Sequence, residues 1–120
     1  MAWEYSQSTG YLTYNGAFIF KGYAGAGAGK DNPDMQHIRN VGPIPRGTYD
    51  IGQPRNTGSR GPHVMDLTPR GHNALGRTEF LIHGDSISNP GNASEGCIIL
   101  SRAVRVRISG SADNVLEVVR

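Results

Sequence analysis

Tyr11-Leu12-Thr13-Tyr14-Asn15-Gly16-Ala17-Phe18-Ile19-Phe20 reads as a β-hairpin. Two β-rich runs flank an Asn-Gly pair, and both central residues of a type I′ turn need positive φ. The same grammar repeats outward. On the N-terminal side, Trp3, Tyr5 and Gln7 alternate onto one face of a first strand. On the C-terminal side, Tyr23 to Pro33 has no period and reads as a glycine loop. A double-proline turn, Gly42-Pro43-Ile44-Pro45, then leads into a strand at Thr48–Ile51. Further strands are expected at His63–Leu67, Thr78–His83, Gly96–Leu100 and Asn114–Val119, separated by the loops Gly52–Pro62, Pro69–Gly76 and Gly84–Glu95. Ser101 is placed to cap a short helix over Arg102–Arg107, with Ala103, Val104 and Val106 partly inward.

The composition agrees with that reading. Seventeen Gly and 7 Pro make a fifth of the 120 residues, a density of backbone punctuation that excludes a helical bundle or coiled coil. A chain of this length is one domain's worth, so residues 1–120 are read as a single, mainly β domain. Twelve basic against 10 acidic residues give a net charge of only +2, and the basic residues are scattered rather than striped, which argues against a nucleic-acid surface. No apolar run approaches the length of a membrane helix. Met1 leads into Trp3-Glu4-Tyr5 without a basic or apolar leader, so synthesis in the cytoplasm without a signal peptide is the expectation. The glycine loop fails the phosphate motifs: Ala24 stands where a Walker loop needs its first Gly, Asp31 follows Gly29-Lys30, and Lys30 occupies the third Gly of a dinucleotide fingerprint.

Cys97 is the single cysteine, so no intrachain disulfide can form. It stands in Ser94-Glu95-Gly96-Cys97-Ile98, immediately after a glycine at the mouth of an apolar strand. Read alone, it is either a small buried hydrophobe or a nucleophile. His83 ends the most apolar strand 14 positions earlier, followed by Gly84-Asp85, and is either a capped strand-end histidine or the base that takes the thiol proton. The connecting loop is long enough to return the chain from one strand end to the next strand start.

With these residues in view, the chain resembles the YkuD-type L,D-transpeptidases, in which a His-bearing strand precedes a Ser/Thr-x-Gly-Cys turn. Gly42-Pro43-Ile44-Pro45-x-Gly47-x-Tyr49 is similar to their entry into a core strand. The wider pattern resembles the compact peptidoglycan-targeting effectors of the type VI secretion system. It runs through Trp3-Glu4-Tyr5, Ser8-Thr9-Gly10, Tyr23-Ala24-Gly25, Asn32-Pro33, Phe80-Leu81-Ile82-His83-Gly84-Asp85 and Ser94-Glu95-Gly96-Cys97-Ile98. Two positions depart from the general pattern: Glu95 replaces the usual His, and Ile99 an Asn or Arg.

The resemblance implies a compact YkuD-like β-sandwich or barrel with one short helix after the cysteine. It also implies Cys-based acyl transfer on peptidoglycan stem peptides, with no cofactor or metal. Cys97 would attack the carbonyl of the third stem residue, and His83 would carry the proton. The Gly96 and Cys97 amides would hold the oxyanion. Ser94 would orient His83, or serve only its own turn. Arg102 would pair with a stem carboxylate, or be a solvated helix arginine, and Tyr23 and Asp85 would line the cleft. A monomer acting in the target cell's periplasm follows, with a cognate immunity protein and a secretion-spike component as partners. His37, His63 and His72 read as structural or exposed. Two other classes fit parts of the chain. One is a zinc peptidase or amidase drawing ligands from His83, Asp85, His72 and Cys97, although only His83-x-Asp85 is a close pair. The other is a non-catalytic cell-wall binding module with Trp3 and the tyrosines as stacking platforms.

Overall fold

A computed structural model describes residues 3–120. Ten strands form one sheet: β1 (Trp3–Ser6), β2 (Tyr11–Tyr14), β3 (Ala17–Lys21), β4 (Tyr23–Ala24), β5 (Gly47–Ile51), β6 (Arg55–Thr57), β7 (Gly61–Arg70), β8 (Phe80–His83), β9 (Ile98–Ile99) and β10 (Val115–Val119). One helix, α1 (Arg102–Ser109), follows β9. The strand order is β3-β2-β1-β10-β5-β7-β8-β9-β4, with β6 laid on β7. Pairing is antiparallel except at β1–β10 and β8–β9. The mainly β, barrel-like architecture expected from the sequence is the one observed.

The two ends of that order are neighbours in the chain. β3 pairs with β2 and β4 with β9, and only Gly22 separates β3 from β4. A Cβ on Gly22 would lie 2.2 Å from the Ile99 carbonyl oxygen, so glycine is required where the chain stitches the sheet into a nearly closed barrel. The sequence reading took Tyr23 and Ala24 for loop. Their two-residue pairing with β9 is set by this closure and has no period to reveal it.

Alternation then builds the interior. Trp3 and Tyr5 of β1 lie in register with Leu116 and Val118 of β10, and Leu116 in turn faces Tyr49 of β5. All five are buried, together with Leu12, Ile44, Met65, Ile82, Ile98 and Leu100. The Tyr49 hydroxyl donates to the Pro45 carbonyl at 2.7 Å, tying the double-proline turn to the strand it feeds. Ser101 caps α1 by accepting from the Val104 amide.

Several boundaries differ from the sequence reading. β6 and the first residues of β7 form a hairpin where a loop was expected, and β7 runs on through Pro69 to Arg70 because Thr48 to Ile51 of β5 pair with its last four residues. β8 starts at Phe80 rather than Thr78 because Glu79 takes φ +65°, which ends strand geometry. α1 extends to Ser109, and its inward face is Val104, Arg105 and Ile108. Ala103 is exposed and Val106 is 46% exposed, correcting their expected inward placement. Arg105 turns in, and its guanidinium reaches the Pro62 and His63 carbonyls at 2.9 and 3.2 Å.

Truncating the centre of this interior tests its weight. Leu116→Ala should lower unfolding free energy by about 2–5 kcal/mol in urea titration, with the m-value unchanged.

Candidate active site

β8 and β9 run parallel, with Ile82 beside Ile98 and His83 beside Ile99. Ile82 and Ile98 enter the core. Alternation therefore puts His83 on the opposite face. The pairing thus brings the end of β8, with His83, beside β9, which Cys97 immediately precedes in a bend of the chain.

His83 is 2% exposed. Its Nδ1 lies 2.8 Å from the Gly84 carbonyl oxygen, which can only accept, so Nδ1 carries the ring proton. Nε2 is then a bare acceptor, buried and without a hydrogen-bond partner among the described residues. Burial is the main cause that pushes the imidazole below its usual pKa, and the Arg60 and Arg105 charges add to it. At neutral pH the ring is a neutral base. A Cβ on Gly84 would meet Nη2 of Arg105 at 2.8 Å, so a side chain there would have to displace that guanidinium.

Cys97 is 8% exposed, and its thiol donates to the Glu79 carbonyl at 3.8 Å rather than to His83. Burial pushes the thiol pKa up, while the Leu81 amide, Arg60 and Arg77 pull it down. The two residues open onto different clefts. Cys97 lines one of about 740 Å³ with Arg77, Glu79, Phe80 and Glu95. His83 lines another of about 790 Å³ with Gly84, Asp85, Arg102 and Arg105. Ser59 and Arg60, on the β6–β7 turn, border both.

The remaining expected residues divide. Ser94 does not orient His83. Its hydroxyl donates to the Cys97 carbonyl at 2.6 Å and accepts from the Gly25 and Gly96 amides at 2.9 and 3.0 Å, so it builds the turn, and the Gly84 carbonyl orients the imidazole instead. Of the two amides expected to hold an oxyanion, that of Gly96 is already committed to Ser94. Gly96 itself is indispensable for conformation, with φ +141° and the Arg77 guanidinium 2.5 Å from where a Cβ would sit.

Arg102 borders the His83 cleft. Asp85 does too, but its oxygens accept from the Tyr23 hydroxyl at 2.6 Å and from the Ser86 and Gly91 amides. Partial burial works to raise the Asp85 pKa, but these hydrogen bonds outweigh it and leave it lowered. Tyr23 lines neither cleft. Its hydroxyl bridges Asp85 and the Ala93 amide, bracing the loop that carries the chain from His83 to Cys97.

Sequence reasoning missed Arg60, Arg77 and the Gly84 carbonyl. A main-chain acceptor leaves no signature beyond the glycine after His83, and two arginines among ten carry none until the fold places them. Among the described residues no three His, Cys, Asp or Glu side chains gather at metal-binding spacing, and no helix is long and apolar enough to cross a membrane.

The buried neutral His83 has a consequence for pH. Its folded pKa lies below the ordinary 6.5, so the unfolded chain binds the proton first as pH falls. The His83 contribution to stability should be constant above about pH 6.5 and decline below it. His83→Gln should flatten that part of a chemical-denaturation profile measured from pH 8 to 5.

The fold and the site can be set beside known proteins. The structure is similar to that of an L,D-transpeptidase from Mycobacterium smegmatis, with a TM-score of 0.51 and 20% sequence identity. The likeness covers 99% of this chain and 58% of that one, so this chain spans little more than half of that protein's length. No curated protein matches the sequence. A family model described as the Tlde1 domain matches residues 19–119, which hold every site residue described above, and the chain belongs to that family.

Proposed function

We propose that this domain is an antibacterial type VI secretion effector that cuts or remodels peptidoglycan stem peptides by cysteine acyl transfer. The observation that carries the proposal is the state of His83: a neutral imidazole, locked by the Gly84 carbonyl, holding an unpartnered Nε2 beside the strand that the lone thiol precedes. An unpartnered buried acceptor destabilises a fold, and a base awaiting a proton accounts for it. Membership of the Tlde1 domain family supports the choice of wall substrate and of secretion as the route to it.

In this mechanism the Cys97 Sγ rotates from the Glu79 carbonyl toward His83 and gives its proton to Nε2. The thiolate attacks the carbonyl carbon of the L-configured third stem residue, and the amide of Cys97 meets the oxygen as it becomes an anion. Collapse breaks the C–N bond to D-alanine, and His83 returns the proton to the departing amine. The thioester is then cleaved by water, releasing the tripeptide, or by a D-amino acid, giving exchange; either nucleophile passes its proton to His83. Arg102 and Arg60, at the border of the His83 cleft, suit the carboxylates of the stem. The acting compartment is the periplasm of the target cell. An immunity protein and a spike component are the partners such an effector requires.

Mass analysis of purified muropeptides tests the reading. Disaccharide tetrapeptide should lose its terminal D-alanine or exchange it for an added D-amino acid, and Cys97→Ala should abolish both while keeping the circular-dichroism spectrum. Cleavage of a D-Ala-D-Ala bond with tetrapeptide untouched would refute it. Arg102→Ala should weaken tetrapeptide kcat/KM by about 1.5–3 kcal/mol, the range for a hydrogen bond to a charged group, with little change in Tm.

A further inference from the structure

Arg77 is a guanidinium 7% exposed, at the floor of the Cys97 cleft. Its Nη1 donates to the Gln36 and Pro43 carbonyls at 2.6 and 2.9 Å, and its Nη2 to the Gly42 and Glu95 carbonyls at 3.0 and 3.2 Å. It also lies over the Phe80 ring, 5.2 Å from the centroid. All four acceptors are neutral, and no carboxylate pairs with Arg77 among the described residues. A buried charge without a counter-ion is costly, and dipoles offset only part of that cost. Burial accordingly lowers the guanidinium pKa, and Cys97 is among the groups that counter the shift. The anion this site lacks in its resting form is one it can make. Nη2 lies against Gly96, one residue from the thiol, and holds the carbonyl of Glu95 on the same turn.

We propose that Arg77 is a positioning residue that serves as the buried counter-charge of the Cys97 thiolate while clamping the Glu95-Gly96-Cys97 turn to the 36–43 loop. The inference rests on the reading of Cys97 as a nucleophile and adds the group that makes its ionised form affordable in a buried place. The other groups facing the thiol are Arg60 from the β6–β7 turn, the Glu95 carboxylate from its own turn, the Leu81 amide from β8, and the Glu79 carbonyl. His83, at the end of β8, opens onto the neighbouring cleft. Arg60 is exposed and borders both clefts, so its field at the sulfur is screened by solvent. Arg77 is shielded from it.

The test is the pH dependence of iodoacetamide alkylation at Cys97 in wild type, Arg77→Gln and Arg77→Lys, with melting followed by circular dichroism. Arg77→Gln should move the titration midpoint up by about one pH unit, making alkylation near pH 7 about tenfold slower with the same alkaline plateau. Arg77→Lys should keep the wild-type midpoint although it melts lower, because it retains the charge and loses carbonyl bonds. A folded Gln variant titrating with wild type would overturn the proposal. Should the Gln variant fail to fold, a Lys variant with a midpoint a full unit higher would overturn it just as well. A wild-type thiol that stays inert across the range would also do so. The measurement needs no wall fragment. Inactivity on muropeptides beside the expected shift would sink only the proposed function, and turnover without the shift only this inference.

Discussion

The parallel pairing of β8 with β9 is the constraint on which the rest of the site depends. Two buried isoleucines, Ile82 and Ile98, fix its register from inside the barrel. Because side chains alternate with a period of two, a one-residue slip of β9 would turn its outward residues into the core and shift Cys97 with them. His83 and Cys97 are therefore aligned by apolar packing on the opposite side of the sheet, not by a contact between the two side chains. That division frees the thiol to rest on the Glu79 carbonyl and the imidazole to keep an open acceptor.

Around that register the main chain supplies most of the polar control. The Gly84 carbonyl fixes the imidazole tautomer, carbonyls receive the whole of Arg77, and amides of residues 25 and 96 hold Ser94. Main-chain groups are stiffer than long side chains, so a site built from them loses little conformational freedom when it binds. The glycines at 84 and 96 belong to the same economy. Each lies against a buried guanidinium, Arg105 at the first and Arg77 at the second, where a Cβ would collide.

Much of this was legible in the sequence, for physical reasons that can be named. The Asn15-Gly16 hairpin, the apolar run into His83 and the Gly96-Cys97 turn are local signals, and local signals survive into the fold. β4, β6 and the far end of β7 were not legible. Tyr23-Ala24 and Arg55–Thr57 have no alternation, and Pro69 argues against a strand; partners distant in sequence impose their geometry. Of the two readings open for Ser94 the turn role is the one observed, and Tyr23 braces a loop instead of lining a cleft, for a related cause. A hydroxyl near a reactive cysteine suggests chemistry, yet both hydroxyls satisfy amides of the loops that carry the site. Arg77 shows the converse case, since nothing in Gly-Arg-Thr-Glu distinguishes a buried guanidinium from a solvated one.

β10 lies between β1 and β5, although it follows every other strand in the chain. The first hairpin and the segment that carries His83 and Cys97 are therefore two halves, joined on one side by β10, made after both, and on the other by Gly22 and β4. Contacts of such long sequence separation make closure slow relative to local folding. During synthesis from the N-terminus, neither half can complete its sheet before residues 115–119 leave the ribosome. A strand far from both clefts thus sets the moment at which His83 and Cys97 are enclosed in a finished barrel.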